Sequence, residues 1–196
     1  RPRLPLTAIV FSSVFKVYST VSARRFMSDL RAAHERGYLT RVPHYNSIFN
    51  YLEDARLTPV LRAMITESSL PLKAVEVDFA VDSSGFTTSR FHRWFDHKYG
   101  EVRQEHDWVK VHLMCGVKTN VVTAIEIAER NAADTKMLPA LVDTTAKNFA
   151  IAEVSADKGY ASARNVEAVA KVSATPFIAF RTSDTGWSGG LWEKAF

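Results

Sequence analysis

Two aspartates each stand at the end of a short apolar run and before turn-forming residues. Asp82 follows VEVDFAV and precedes Ser-Ser-Gly, and Asp157 follows VSA and precedes Lys-Gly-Tyr. Strands that lie side by side and parallel bring their carboxyl ends to one sheet edge, about 4.8 Å apart. Carboxylates are the oxygen ligands that hard divalent cations need, and two such ions can activate water and stabilise a leaving phosphate oxygen. The two segments therefore predict one shared metal site.

Each aspartate also has a purely structural interpretation. An aspartate before Ser-Ser-Gly or Lys-Gly can accept a hydrogen bond from its own turn and then needs no metal. The repetition of the pattern on two strands favours a site. Asp78 shares a strand face with Asp82 but lies about 13 Å away along the strand, too far to bind the same ion, and Glu76 lies further still.

The composition is that of an ordinary soluble globular protein. The chain has 196 residues, of which 46% are hydrophobic and 23% charged, which excludes a disordered chain and allows one core plus a small accessory domain. No run approaches the roughly 18 apolar residues of a membrane helix. The first residues resemble a signal peptide, but Thr7, Ser12 and Ser13 interrupt the apolar stretch. The single cysteine, Cys115, excludes an internal disulfide and fits a reducing cytoplasm.

Positive charge is concentrated at the front of the chain. Residues 1–62 carry ten Lys or Arg against four acidic residues, while the rest carries fifteen against seventeen. A basic front end joined to a near-neutral body indicates contact with a polyanion. A solvated helical surface explains the charge equally well.

The front segment has helical periodicity. The first helix is predicted from four valines at helical spacing, which are Val10, Val14, Val17 and Val21. A second helix is predicted from a cap at Ser22 to a stop at Gly37, with Phe26 and Leu30 on its inner face.

A third predicted helix begins after Pro43 and carries polar residues on its outer face. His44, Asn46 and Asn50 face outward in this prediction, and Phe49 faces inward. Two helices joined by a short glycine-containing turn can form a helix-turn-helix whose asparagines read adenine edges. A helical bundle that only packs or dimerises is the alternative and fits the sequence equally well.

The hydrophobic period changes from helical to alternating after TESSLPLK, residues 66–73. We therefore predict a helical DNA-binding or dimerisation region over residues 1–70 and a second domain over residues 71–196. The predicted order in the second domain is three strands, a helix, a strand, a helix and a strand. Antiparallel strands followed by crossover units predict the α/β class, with a three-layer mixed sheet.

Five segments of the second domain together resemble the DDE transposases of bacterial insertion sequences. They are AVDSSGF, RWFDHKYG, WVKVHLMCGVKTNVVTAIEI, NAADTKMLPALV and SADKGYAS. The similarity spans about residues 74–181, and the helical front is similar to the region of these proteins that binds DNA ends. The resemblance implies a ribonuclease-H-like fold.

The resemblance also implies an activity, cofactors and partners. Asp82 and Asp157 would be the first and second catalytic aspartates, both binding Mg²⁺ or Mn²⁺ in a two-metal site. The implied chemistry is hydrolytic nicking of insertion-sequence ends followed by strand transfer into target DNA. The implied partners are the terminal repeats, the target DNA and a second copy of the chain, in a bacterial cytoplasm at the nucleoid and not at a membrane.

The family's third acid has no counterpart in this sequence. That glutamate follows a tyrosine, two residues, an arginine and three further residues, whereas here the arginine after Tyr160 stands at the fourth place. Glu193, in GLWEKAF, resembles the segment that leads up to the glutamate helix. We therefore expect the sequence to stop before its third ligand, and the missing initiator methionine also indicates a fragment.

Several further residues are predicted to contact DNA. Lys110 and His112 alternate with apolar residues on one strand and would face DNA phosphate near Asp82, although a partly exposed polar strand face is the alternative. Arg93 and Trp94 belong to a loop that mixes cations with aromatic residues, as suits opened DNA ends, and a packed hairpin extension explains it equally well.

Lys158 and Tyr160 closely follow Asp157 and belong to the same predicted DNA-contacting set.

Two rival functions remain open. One is a DNA-binding transposase remnant without catalysis, and the other is an α/β phosphohydrolase in which a strand-end aspartate is the nucleophile.

Overall fold

The computed structural model describes residues 4–87, 108–129, 131–186 and 189–195. The chain separates into two compact units, Arg1–Met64 and Ile65–Phe196. Within the described ranges, no helix combines the length and the apolar character needed to cross a membrane.

The first unit is built from helices. They are α1 (Leu6–Ser19), α2 (Ala23–Glu35), α3 (Tyr45–Leu52) and the beginning of α4 (Leu57–Ser69). Apolar residues from α1, α2, α3 and the connection after α2 form its core, and they are Ala8, Phe26, Leu30, Ala33, Leu39 and Ile48. The helices predicted for this region are therefore present.

The ends of α2 follow the signals in the sequence. The Ser22 side chain accepts a hydrogen bond from the Arg25 N–H and caps the first turn. At the other end, Gly37 has a φ of 82°, its N–H donates to His34 O, and the Tyr38 N–H donates to Ala33 O. These paired bonds satisfy the last carbonyls of the helix, and the left-handed backbone between them favours glycine. Both predicted ends of α2 are confirmed.

The buried face of α1 differs from the predicted one. Val10 is buried, but Val14 and Val17 are 45% and 66% exposed. The helix packs instead through Phe15, whose ring meets that of Phe26 edge-on at 5.2 Å, and through small residues such as Ser12. Apolar side chains surround most of α1, so their spacing does not determine which side faces the core. Phe49 of α3, predicted to face inward, is likewise 39% exposed.

The second unit contains a five-stranded mixed sheet. Its strands are β1 (Asp78–Thr87), β2 (Trp108–Gly116), β3 (Val122–Glu129), β4 (Glu153–Ala156) and β5 (Thr175–Ile178). Their order across the sheet is β3-β2-β1-β4-β5; β1, β2 and β3 pair antiparallel, while β1, β4 and β5 pair parallel. Helices α5 (Leu138–Ala146), α6 (Ala163–Lys171) and α7 (Gly190–Ala195) complete the unit. The predicted mixed α/β architecture is confirmed.

One face of this sheet forms the core of the second unit. Alternate residues of the central strands, Phe79, Val81, Met114 and Val154, are almost completely buried. They pack in one cluster with Leu138 and further residues of the helices, namely Leu141, Val142, Val166 and Val169. The period of two along each strand therefore decides which side chains meet the helices.

Strand β1 is longer than the sequence predicted. Asp82 was expected to end the strand before a Ser-Ser-Gly turn, but β1 continues to Thr87, and Ser83 and Gly85 pair with His112 and Lys110 of β2. Strand β2 supplies backbone partners over this whole length, and those hydrogen bonds override the turn preference of Ser-Ser-Gly.

Glu76 is a buried carboxylate that holds the turn between β2 and β3. Its side chain is completely buried and accepts hydrogen bonds from the backbone N–H groups of Lys118, at 3.2 Å, and Thr119. A side chain on Gly116 would collide with it, since an added Cβ would lie 2.4 Å from the Glu76 carboxyl carbon. Burial by itself raises the pKa of Glu76, but the hydrogen bonds from Thr119 and Lys118 outweigh it and lower the pKa below its usual 4.5.

Glu76→Gln is expected to destabilise the second unit by about 1.5–3 kcal/mol at pH 7, because an amide cannot replace both charge-assisted hydrogen bonds. The four tryptophans all lie in residues 65–196, so urea unfolding followed by tryptophan fluorescence reports on this unit. Glu167→Gln, at an exposed position of α6, is the matched control and should leave stability unchanged.

The effect of Glu76→Gln should also depend on pH. A carboxylate whose pKa is lowered by folding stabilises the protein above its unfolded-state pKa and loses that contribution as pH falls through the folded value. The difference between the wild type and Glu76→Gln should therefore be complete above pH 4.5 and shrink below it. A difference that stayed constant under acidification would show that the charge of Glu76 has no part in the stabilisation.

Candidate metal centre

The register between β1 and β4 places Asp82 and Asp157 next to each other. The last parallel pair joins Val81 to Ala156, and the two aspartates are the next residues on their chains. Neighbouring strands are about 4.8 Å apart, so both carboxylates leave the backbone at one sheet edge. Both aspartates are exposed there. Asp78, by contrast, pairs with Glu153 at the opposite end of β4.

Backbone N–H groups orient both carboxylates. Asp82 Oδ1 accepts from the Ser83 N–H, and Asp157 Oδ1 accepts from the Gly159 N–H, each at 2.7 Å. Asp157 thereby caps the short 3-10 turn Lys158–Tyr160. Turn capping by Asp157 is compatible with metal binding, and Asp82 lies within β1 and forms no turn. An ionised carboxylate has about four acceptor sites, and these bonds use one in each case.

A third carboxylate, Asp134, approaches Asp157 from the connection between β3 and α5. It begins the 3-10 turn Asp134–Lys136. Asp134 Oδ2 and Asp157 Oδ1 each lie 2.8 Å from the point that a Cβ on Gly159 would occupy. The two oxygens are therefore separated by at most twice that distance, and the missing side chain of Gly159 leaves room for both.

Asp134 was not identified as a site residue from the sequence. The segment NAADTK entered only as part of the family resemblance, and a single aspartate at the start of a helical turn is a common cap. The signal that was available is its position, since it follows a strand of the same sheet and begins the crossover to α5. A carboxylate in that position can approach the edge where the neighbouring strands end.

Lys110 forms an ion pair with Asp134. Its ammonium group donates to Asp134 Oδ1, and the two side chains are only 18% and 20% exposed. Lys110 and His112 share one face of β2, as their alternation in the sequence predicted. It is the face of their partners Gly85 and Ser83, whereas Asp82 pairs with Leu113 on the alternate face, so the predicted position on the Asp82 face is wrong. The Asp134 carboxylate therefore stands between the Lys110 ammonium group and the Asp157 carboxylate.

His112 and Tyr160 form a buried pair directly behind these charges. Both side chains are completely buried, and His112 Nδ1 shares a hydrogen bond with the Tyr160 hydroxyl at 2.7 Å. The main-chain carbonyl of Tyr160 accepts from Asn165 Nδ2, also at 2.7 Å. This corrects the prediction that His112 and Tyr160 contact DNA, because neither side chain presents a surface to a ligand.

Both members of the buried pair are held in their neutral forms. Burial lowers the pKa of His112, which outweighs the opposite effect of Asp134. Burial also raises the pKa of the Tyr160 hydroxyl, despite a hydrogen bond with Ser83 that acts against it. The pair therefore adds no net charge beneath the carboxylates.

The other predicted DNA contacts have different positions. Lys158 is exposed beside Asp157, and its carbonyl accepts a hydrogen bond from Arg181 Nε at 3.1 Å. Arg93 and Trp94 lie outside the described residues.

The remaining predicted contacts belong to the first unit. His44, Asn46 and Asn50 are exposed on and before α3, and His44 Nδ1 accepts from the Asn46 N–H at 3.3 Å, which caps the helix. Residues 36–44 connect α2 to α3. That connection is longer than the turn of about 3–4 residues in a tight helix-turn-helix.

The donor set fits a hard divalent cation. Asp82 and Asp157 supply carboxylate oxygens at one edge, and Mg²⁺ is usually held by one or two carboxylates together with waters and substrate phosphates. Within the described ranges, no three His, Cys, Asp or Glu side chains lie close enough together to hold a metal by themselves. The edge therefore offers a partial site that water and phosphate oxygens can complete.

Gly159→Ala should weaken the binding of Mn²⁺ by about tenfold or more, because the new Cβ must displace the carboxylates of Asp134 and Asp157. The displaced groups are ends of flexible side chains, so the fold should survive. Calorimetric titration gives the Mn²⁺ affinity and a melting curve checks the fold. An unchanged affinity in a folded variant would contradict the close approach of these carboxylates.

No curated protein sequence matches the chain. Among solved structures, the chain is similar to one in "Cryo-EM structure of piggyBac transposase synaptic complex with hairpin DNA (SNHP)", at 9% identity and a TM-score of 0.41, with 90% of this chain and 42% of that chain covered. This chain thus spans less than half the length of that one.

A family described as "Transposase DDE domain" matches residues 73–186, which is more than half of the chain. The match includes both strand-end aspartates, Lys110 and Asp134. The resemblance found in the sequence is confirmed, and the chain belongs to the transposase DDE domain family.

Proposed function

We propose that the chain is part of a DNA transposase, in which it cuts phosphodiester bonds at the ends of a mobile element and joins the freed ends to target DNA. The observation that carries this proposal is the β1–β4 register, which sets Asp82 and Asp157 side by side within a domain of the transposase DDE family. Two adjacent carboxylates on neighbouring strands can hold a divalent ion of the kind that assists phosphoryl transfer.

Asp82 and Asp157 are the residues that we assign to metal binding, with Mg²⁺ or Mn²⁺ as the ion. When bound, the ion supplies activation of water and neutralisation of charge on the phosphate oxygens. The two carboxylates fix its position, because each is already oriented by a backbone N–H. They also leave the edge open to solvent, so a DNA strand can approach.

Lys158 is the described residue that we assign to the DNA backbone beside this edge. It is exposed, follows Asp157 directly and lies in a turn held by Arg181, whose guanidinium donates to the carbonyls of Lys158 and Gly159. A cation in this position can bind a phosphate next to the reacting one. Arg93 and Trp94 belong to the same proposal on sequence grounds alone.

The first unit is proposed to bind the ends of the element. It carries the excess positive charge of the chain, and Asn46 and Asn50 of α3 are exposed one helical turn apart. Residues four apart share a helix face, so both amides can reach one groove of DNA. A second copy of the chain on the paired element end is part of this proposal.

A DNA-binding remnant without catalysis is the second candidate. The observation that favours it is that the described residues do not bring three metal-binding side chains together. The two candidates make opposite predictions for metal binding: the active domain binds Mn²⁺ at Asp82 and Asp157, whereas the remnant binds DNA alone.

Asp82→Asn and Asp157→Asn should each reduce Mg²⁺-dependent nicking of the element ends by the full-length protein by about 10²-fold or more. An amide removes the negative ligand that holds the ion, and the ion contributes several kcal/mol to the transition state. Asp143→Asn, at an exposed position of α5, is the matched control and should nick at the wild-type rate.

The results of this experiment separate the rival functions. Nicking at the wild-type rate by either site variant would refute the site. DNA binding by a wild-type protein that binds no Mn²⁺ would select the remnant. An acyl-phosphate trapped on Asp82 or Asp157 would instead identify a phosphohydrolase with an aspartate nucleophile.

Asn46→Ala and Asn50→Ala should each weaken binding to the element ends by about 1–3 kcal/mol while leaving binding to random DNA unchanged, since bidentate contacts to adenine carry sequence discrimination. Competition binding with specific and random duplexes measures both affinities. Asn131→Ala, which removes an exposed asparagine from the second unit, is the control. Unchanged discrimination in both test variants would exclude α3 as the reading helix.

A further inference from the structure

Asp134 lies between a cation and an anion. Its Oδ1 accepts from the Lys110 ammonium group, and its Oδ2 lies beside Asp157 Oδ1 at the surface of Gly159. One carboxylate therefore separates the ammonium group of Lys110 from the carboxylate of Asp157. Both members of the Lys110–Asp134 pair are mostly shielded from water, so their attraction is stronger than that of an exposed pair.

Lys110 would be a competitor for the metal if Asp134 did not hold it. Lysine carries a compact charge on a flexible four-carbon stem, and it can turn towards any carboxylate within reach. Asp157 is one such alternative, because its Oδ1 and Asp134 Oδ2 both lie 2.8 Å from the Cβ position of Gly159. An ammonium group paired with Asp157 would neutralise a charge that the cation needs and would block its approach.

The local charges support the same conclusion. Asp82, Asp134 and Asp157 contribute three carboxylates, and burial lowers the pKa of His112. Pairing Lys110 with Asp134 leaves Asp82 and Asp157 for a divalent cation, with the exposed Lys158 beside them. Removal of Asp134 alone would release the charge of Lys110 to act against those two carboxylates.

Asp134 does not complete a set of three metal ligands. No group of three metal-binding side chains is assembled anywhere in the described part of the chain. One of the two Asp134 oxygens is also occupied by Lys110. A contribution through Lys110 is therefore the role that its contacts support.

We propose that Asp134 is a positioning residue that holds the Lys110 ammonium group away from Asp157 and so keeps the edge available to a divalent cation. This inference rests on the proposed function, because it assumes that Asp82 and Asp157 bind the ion. Asp134 acts on the metal site through the lysine and not by coordination.

The first test is the Mn²⁺ affinity of the full chain, measured by calorimetry for Asp134→Asn, Lys110→Met and the double variant. Asp134→Asn should weaken binding by about 10- to 100-fold, as loss of a partner outside the ligand set typically does. The double variant should recover most of that loss, because no unpaired lysine remains. Asp143→Asn and Lys147→Met, both at exposed positions, are the controls for charge alone.

Recovery of Mn²⁺ affinity in the double variant distinguishes a positioning role of Asp134 from a ligand role or a structural role. If Asp134 were a ligand or only a structural support, adding Lys110→Met would restore nothing, and equal or greater weakening in the double variant overturns the proposal. An unchanged affinity in Asp134→Asn also overturns it.

A second test uses no metal. A double-mutant cycle between Lys110→Met and Asp157→Asn, measured by thermal unfolding, should show no coupling in the wild-type background and clear coupling when Asp134 is asparagine. Absence of that coupling overturns the proposal. Coupling without any effect of Asp82→Asn or Asp157→Asn on Mn²⁺ binding supports the placement of the lysine and refutes the proposed function instead.

Discussion

The short parallel pairing between β1 and β4 is the constraint on which the candidate site depends. Only Asp78–Val81 of β1 has a partner on β4, whereas β1 runs on for six further residues against β2. Asp82 therefore lies at the point where β1 is still paired with β2 but no longer with β4. Hydrogen bonds to β2 keep β1 extended at this point. On the other side of β1, strand β4 has ended and its chain turns away at Asp157. A site built this way needs no special loop conformation to bring its carboxylates together.

Along one face of β2, the side chains become more polar from the core towards the edge that carries Asp82 and Asp157. Met114 belongs to the apolar core, His112 is buried but bonded to Tyr160, and Lys110 is paired with Asp134. Lys110 and Asp134 neutralise each other, and the buried pair of His112 and Tyr160 is neutral. The bond between His112 Nδ1 and the Tyr160 hydroxyl orients both rings. His112 Nε2 is buried, has no hydrogen-bond partner among the described residues and lies 4.0 Å from Asp134 Oδ1. A polar layer therefore separates these charges from the apolar core.

The sequence predicts this arrangement only as far as local patterns reach. Alternation and the order of elements were sufficient to place Asp82 beside Asp157, since the parallel crossover leaves few topologies. The length of β1 was mispredicted because pairing with β2 outweighs the turn preference of the residues after Asp82. His112 was predicted on the same face as Lys110, which is correct, but near Asp82 and exposed to DNA, which is wrong, because it pairs with Ser83 and is buried against Tyr160, far away in sequence. Asp134 was missed for the same reason, because its partners are contributed by other elements.

The two exposed aspartates are also consistent with a protein that folds before it meets the proposed ion. Like charges on adjacent strands repel, but at an exposed edge water screens that repulsion, and each carboxylate gains a hydrogen bond from a nearby backbone N–H. Lys110 reduces the remaining charge without entering the pair. Binding a cation then adds attraction to groups already in position, so little ordering entropy opposes it. If the same two carboxylates were buried, their repulsion would no longer be screened by water, and both could not stay ionised without the ion.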